Sequence, residues 1–385
     1  MSSMESTLCE ATTGEFLRVL RAGEQTGTPV PFMVSMDWTY RCNLRCAHCF
    51  VRFPDVSLGE LTTGQVKQVL GKLADHGVLF LVITGGEPLA RPDFRELHLH
   101  VKSLGFIPTL FTNATLATPV MADFLAANPP RRIEISVYGH TEACDEAVTG
   151  VPGSFRRFRE GVAALRDRGL LLRFKSMIMA PNQHELQAMK DWAEQQDCEF
   201  RYDAVIHGRL NGDLSPAECR IPPEAGVQLH FSRDADKDEF LRYQETIGRH
   251  LPPKASLLEC GAGTMTMHVD AQGRAHPCML WRSDPYDLLA GTLDGRWQEH
   301  IRRIRNRAAP DGPCRTCEDR GLCSYCPPIA VIETGHPARP SPYFCELAAQ
   351  RKRQMREPAV SRETYPESPD AGEGWTERKE CAQSA

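Results

Sequence analysis

The sequence predicts an α/β fold: a parallel, curled sheet with helices outside it, followed by a small, loop-rich, cysteine-dense region. Three observations predict it. Apolar strand-like runs alternate with amphipathic helical runs in six repeats between residues 32 and 206. Strands such as Val78-Leu-Phe-Leu-Val-Ile83 carry no polar break, as expected of parallel strands covered on both faces. Ten of the fifteen cysteines fall in two dense groups, Cys42 to Cys49 and Cys260 to Cys345.

The repeats can be taken in order. Phe32–Trp38 reads as a buried strand. Thr62 or Thr63 caps a helix that reaches His76, Gly77 ends it, and strand 78–83 follows. The unit recurs as helix 92–104 closed by Gly105 with strand 106–111, and as helix 118–127 with strand 132–137. Helix 154–168 closed by Gly169 leads to strand 170–179, and helix 183–196 to strand 199–206. Before them, residues 1–30 form an arm with one short helical pattern at Gly14–Arg21. After them, residues 207–259 read as a connector, rich in Gly and Pro and then in a charged helical run ending near His250. Residues 260–346 carry the second cysteine group, and 347–385 a charged, disordered tail beyond a last short helix.

Composition narrows the function. The 385 residues suffice for a large domain and a smaller one, and 41 % hydrophobic with 25 % charged residues is ordinary for a globular chain. A net charge of −5 gives no sign of a nucleic-acid partner. No apolar run is long enough to cross a membrane, and the first residues lack the basic and apolar parts of a signal peptide, so the expected compartment is the cytoplasm. Fifteen cysteines in that reducing compartment argue for metal or redox chemistry rather than disulfides.

The chemistry concentrates in Thr39-Tyr-Arg-Cys-Asn-Leu-Arg-Cys-Ala-His-Cys-Phe50, a loop after the first strand. Three thiolates at C-x3-C-x2-C can hold three irons of a cubane and leave the fourth open to a substrate. Zinc is the alternative, but zinc knuckles favour C-x2-C pairs and four ligands. The spacing of Cys42, Cys46 and Cys49, with His48 in the aromatic position, resembles the signature of the radical S-adenosylmethionine (SAM) enzymes. That resemblance implies a TIM-like partial (βα)6 barrel and a [4Fe–4S] cluster whose open iron is chelated by SAM. It also implies reductive cleavage of SAM to a 5′-deoxyadenosyl radical that abstracts hydrogen.

The second strand ends in Thr84-Gly-Gly-Glu-Pro88. Alone, this is as good a plain turn as a site, but one strand beyond the cysteine loop it is similar to the family element whose backbone receives the SAM amino group. The resemblance carries that role to Gly85, Gly86, Glu87 and Pro88. Phe111-Thr-Asn-Ala-Thr115 resembles the family's Thr-Asn-Gly-Thr segment, with Ala114 in place of glycine, and makes Asn113 a cofactor candidate. Ser136 is either a contact to the SAM ribose and carboxylate or a partner of a neighbouring turn. Lys175 and Arg173 interrupt an apolar strand; a buried cation needs a counter-charge, either the SAM carboxylate or a barrel carboxylate such as Asp203. Arg201 and Asp203 line the substrate cavity or form a structural ion pair.

In the C-terminal group, Met265–Val269 and Ala275–Leu280 flank a hairpin turn, Asp270–Gly273. Cys314-x2-Cys317-x5-Cys323-x2-Cys326-Pro327 is too tight for zinc-ribbon knuckles, which stand about 15–20 residues apart. With Cys260, Cys278 and Cys345 it resembles the SPASM extension of radical SAM enzymes, which holds one or two auxiliary iron–sulfur clusters. The last spacing departs from the family's x3. The resemblance implies Cys314, Cys317, Cys323 and Cys345 around one cluster and Cys260, Cys278 and Cys326 around the other, inner one. His268 and His276 are either the latter's missing ligand or neutral structural histidines.

The function implied is that of a peptide or protein maturase. Its partners would be a peptide or protein substrate, an external flavodoxin- or ferredoxin-type electron donor, and a separate peptide-recognition protein. The alternatives are a radical SAM enzyme acting on a small molecule or tetrapyrrole, and a non-catalytic iron–sulfur protein.

Overall fold

The structure, a computed structural model, describes residues 31–51, 59–231, 255–324 and 326–356. The N-terminal helical pattern, the charged run ending near His250 and residues 357–385 lie outside these residues.

All six repeats form. Strands β1 (Met33–Thr39), β2 (Phe80–Gly85), β3 (Ile107–Thr112), β4 (Arg132–Ser136), β5 (Leu172–Met177) and β6 (Glu199–Asp203) lie side by side in chain order, each pair parallel. Helices α1 (Thr63–Asp75), α2 (Phe94–Ser103), α3 (Pro119–Ala127), α5 (Ser154–Arg166) and α6 (Leu186–Gln195) connect them. Helix α1 starts as the sequence indicates: Thr62 and Gln65 form a reciprocal capping box. Alternation on β1 divides the two faces of the sheet. Val34, Met36 and Trp38 are wholly buried, and Trp38 meets Phe94 of α2 at 5.5 Å between ring centroids. Each such buried side chain contributes about 1.5–3 kcal/mol. Ser35, Asp37 and Thr39 take the other face.

Boundaries differ from the sequence reading where turns intervene. β2 starts two residues late because Gly77, at φ +79°, turns the chain and the Val78 amide returns to Leu73. β6 stops at Asp203, whose carboxylate accepts from the Val205 amide and ends the ladder. Helix α4 (Glu142–Thr149) was not predicted; it is one short element between Thr141, its cap, and Gly150 in the left-handed region. Where the sequence reading places a last short helix, helix α10 runs over Pro342–Arg356.

The predicted hairpin forms from β7 (Thr266–Val269) and β8 (Arg274–His276), with Gly273 at φ +79°. It does more than fold on itself. β7 pairs parallel with β1, so with β9 (Tyr286–Asp287) one sheet of nine strands runs β6-β5-β4-β3-β2-β1-β7-β8-β9. Helices α7 (Pro223–His230), α8 (Gly295–Arg305) and α9 (Pro327–Thr334) complete the described chain with α10.

Candidate active site

The cysteine loop after β1 is tied down on several sides. The Arg45 and Ala47 amides donate to Thr149 and Val148 of α4 at 2.8 and 3.0 Å. Tyr40 donates its amide to Glu60 at 2.7 Å, and Asn43 its side-chain amide to Thr115 at 2.6 Å. Cys42 keeps much of its surface open, yet the surrounding protein pushes its thiol up to about 12. Cys46 is driven well above the usual thiol range by burial and by Cys49 and Cys42 beside it. Three thiols crowded so that their thiolates repel one another suit a cation, which deprotonates them on binding. The Leu44 amide, 3.4 Å from Cys42 Sγ, and Asn113 Nδ2, 3.9 Å away, are donors to such a thiolate.

The glycines at the end of β2 are demanded by this loop. A Cβ on Gly85, at φ +126°, would stand 2.3 Å from the Thr39 carbonyl oxygen, and one on Gly86 would stand 2.3 Å from that of Arg41. Gly86 and Glu87 donate their amides to those same carbonyls at 2.7 and 2.9 Å. Glu87 is fully buried. Its carboxylate accepts from the Asn113 amide (2.7 Å), the Thr112 hydroxyl (2.7 Å) and the Leu89 amide (3.0 Å). Burial pushes it up to about 6 against those three donors. Its side chain is therefore a brace between the ends of β2 and β3, leaving only backbone for a ligand. Pro88 is buried at the start of a single helical turn, Pro88–Ala90.

At the neighbouring strand ends, Asn113 reaches Asn43 and Cys42, while its own oxygen accepts from the Thr115 amide and hydroxyl. Ala114 sits at φ +59°, which accounts for the glycine of the related segment. Ser136 stands in register with Lys175 and hydrogen-bonds Tyr138. His48 meets Tyr138 at 3.2 Å, and burial pushes its imidazole down to about 4, so the ring is neutral. Its Nδ1 is buried without a partner among the described residues. Lys175 Nζ lies 2.9 Å from the Phe111 ring centroid and in no ion pair among the described residues; burial pulls it down to about 7 against Glu134 and Glu87. Arg173, by contrast, is structural, paired with Glu134 at 3.5 Å and with Glu199. Arg201 pairs with Glu199, and Asp203 lines a cavity of about 230 Å³ between β6, α7 and α10.

A three-thiol donor set, a buried imidazole nitrogen with no partner among the described residues and a buried lysine in no ion pair among them fit an iron–sulfur cluster and a zwitterionic ligand.

In the C-terminal region, burial raises Cys278 with Cys260 adding to it, and raises Cys345 with Cys317 adding to it, so these thiols neighbour one another in pairs. Cys323 Sγ lies 3.7 Å from the Phe344 carbonyl, next to Cys345. Cys314 is on a short helical turn, and Cys326 precedes α9. His268 uses both ring nitrogens, on Ser35 at 2.9 Å and Asp37 at 3.2 Å, as a structural histidine does. His276 contacts Asp270 at 3.1 Å through Nε2; burial would raise Asp270, but hydrogen bonds from His276 and Arg274 hold it down to about 2.

The sequence reading missed the supports. Glu60, α4 and Arg209, which contacts the Cys49 carbonyl at 3.3 Å, lie 18 to 160 residues from the cysteines they steady. Only Thr141 and Gly150, a cap and a stop for α4, were legible signals.

The chain matches the family model "Radical SAM superfamily" over residues 36–194. It is 34 % identical to the PqqA peptide cyclase of Bradyrhizobium diazoefficiens over 332 residues, covering 83 % of this chain and 87 % of that one. With the AdoMet-dependent heme synthase of Methanosarcina barkeri the identity is 26 % over 346 residues, 82 % and 97 % of the two chains. In fold it is similar to Streptococcus suis SuiB bound to its precursor peptide SuiA, with a TM-score of 0.64 at 16 % identity over 86 % of this chain and 79 % of that one. The chain belongs to the radical SAM superfamily of enzymes, which use a [4Fe–4S] cluster and SAM, and carries a C-terminal cysteine-rich region of the SPASM type.

Proposed function

We propose that this enzyme matures a peptide or protein substrate by abstracting hydrogen from one of its residues. The observation that carries the reading is the 34 % identity with a peptide cyclase over most of both chains. Bound at the loop, the cluster and SAM supply the radical. The chain's residues supply the rest: Cys42, Cys46 and Cys49 as ligands, the backbone of Gly85–Pro88 for the SAM amino group, and Lys175 for its carboxylate. His48, Asn113 and Ser136 frame the ligand. Cys314, Cys317, Cys323 and Cys345 hold one auxiliary cluster, and Cys260, Cys278 and Cys326 the other. Residues 31–206 and 260–346 are the two working units.

The open side of the barrel, where β6 is an edge strand, gives room to an extended chain. A flavodoxin- or ferredoxin-type donor supplies electrons, and a separate protein delivers the peptide. None of the thirteen described cysteines is in a disulfide, and no described helix is long and apolar enough to cross a membrane; both fit the cytoplasm.

A second reading, a tetrapyrrole substrate, is favoured by the heme synthase, matched over nearly its whole length. The test reconstitutes the protein anaerobically, adds reductant and SAM, and offers in parallel short peptides encoded beside its gene and porphyrin precursors. Deoxyadenosine formed in step with a mass change in a peptide supports maturation. A changed porphyrin with untouched peptides moves the second reading to the front.

A further inference from the structure

We infer that Arg209 is a positioning residue that fixes the third cluster cysteine and sets how readily the radical SAM cluster is reduced. The inference rests on the assignment of Cys42, Cys46 and Cys49 to that cluster.

Residues 207–214 follow β6, in the stretch whose composition suggested only a connector. They fold into a tight turn: the Arg209 amide donates to the Asp213 carbonyl at 2.7 Å, the Gly212 amide returns to Arg209 at 2.8 Å, and Gly212 takes φ +90°. One side of the turn faces the cysteine loop. Arg209 Nε donates to the Cys49 carbonyl at 3.3 Å, and the Leu210 amide donates to the next carbonyl, Phe50, at 3.0 Å. The other side faces the C-terminal region, where a Cβ on Gly208 would stand 3.1 Å from Ile332 of α9, the helix that begins after Cys326. The turn therefore spans the two cysteine regions, and Arg209 is its contact with Cys49.

The guanidinium has a further property. Its side chain is only 11 % exposed; Nη1 pairs with Asp213, Nε serves Cys49, and Nη2 is buried with no hydrogen-bond partner among the described residues. A buried donor without an acceptor is costly unless an anion meets it. Three cysteine thiolates around an iron–sulfur cube make such an anion, and it becomes more negative when it takes one electron from the external donor. A positive charge against Cys49 favours the reduced state, since net charge and hydrogen bonding set the potential of such clusters. Asp213 opposes this by neutralising part of that charge.

The two residues should therefore act with opposite sign. The test is a redox titration of the reconstituted full-length enzyme, following the part of the reduced EPR signal that added SAM shifts, with iron content measured alongside. Arg209→Gln is expected to move that potential to a more negative value, Asp213→Asn to a more positive one, and Arg209→Lys to fall between wild type and Arg209→Gln. Shifts of the same sign in Arg209→Gln and Asp213→Asn would mean that the turn merely holds the loop together. Unchanged potentials would remove the electrostatic role; either result overturns the inference. A wild-type protein with no SAM-responsive signal would instead count against the ligand assignment itself.

Discussion

The two cysteine regions are built in opposite ways. The loop at residues 39–49 is pinned by backbone hydrogen bonds to distant elements, Arg45 and Ala47 to α4 and Thr39 and Arg41 to the end of β2. In the stretch from Cys314 to Cys326 the backbone hydrogen bonds join near neighbours, such as Arg320 to Cys317 and Cys323 to Arg320. Long side chains do the distant work there. Arg351 of α10 donates to the Leu322 carbonyl and the Ser324 hydroxyl on either side of Cys323, Lys352 pairs with Asp319, and Arg305 of α8 holds the Cys260 and Ala262 carbonyls. A site meant to bind and release a ligand is preorganised by its strands, whereas a site that keeps its metal can let the metal finish the fold.

Stripping iron with a chelator is the most direct way to break that contrast. Amide exchange should speed up across 314–326, with opening free energies falling to about 1 kcal/mol or less, while Gly86, Glu87 and Ala47 stay protected. Equal loss of protection in both regions would show that the barrel loop also depends on its metal. The next largest effect is expected at Glu87. Removing its carboxylate in Glu87→Ala strands the Asn113, Thr112 and Leu89 donors in the interior, at about 1–3 kcal/mol for each one left unsatisfied. Denaturant unfolding should show a loss of about 3 kcal/mol or more; a loss under about 1 kcal/mol would mean that the brace is dispensable.

Much of this was legible beforehand, and the reason is local. The βα repeats, the Thr62 cap, the Gly77 stop and the Asp270–Gly273 turn are written in neighbouring residues, so periodicity and turn chemistry find them. The three cysteines are likewise seven residues apart end to end. What escaped depends on contacts between distant segments. β7 joining β1, Arg209 reaching Cys49 and Asp37 meeting His268 each span more than 150 residues, and no spacing rule sees them. Glu87 shows the middle case: its motif was found, but whether its side chain faces a ligand or braces β3 is decided only by packing.

A third prediction concerns charge at the preorganised site. Lys175 is pulled down to about 7 by burial, and only its protonated form can answer a carboxylate. If it faces SAM, binding of SAM should weaken with rising pH, its dissociation constant growing by about tenfold per unit once pH exceeds the lysine's value in the free enzyme. The sign follows from the protonated form being the binding form and being lost upward. Lys175→Arg, which stays charged, should flatten this part of the profile measured by equilibrium binding. A slope that persists unchanged in Lys175→Arg would assign it to the SAM amino group instead.

The smallest effect tests how far the preorganised loop is strained. Ala114 is wholly buried at φ +59°, and α5 packs so tightly on it that a Cβ on Gly161 would stand 2.0 Å from its carbonyl oxygen. A non-glycine residue in the left-handed region costs about 1–2 kcal/mol, which Ala114→Gly would relieve. Against that, the substitution removes a buried methyl group worth about 0.8 kcal/mol and frees the unfolded chain by about 0.5–1 kcal/mol. The terms nearly cancel, so thermal unfolding of Ala114→Gly should lie within about 0.5 kcal/mol of the parent. Ala114→Val has no such compensation, since a branched side chain meets the same backbone conformation with less room; it should lose about 2 kcal/mol or more. If Ala114→Gly instead loses over 1 kcal/mol, the methyl contact outweighs the strain. The alanine would then be a packing choice suited to this barrel, and its backbone conformation would carry no stored cost.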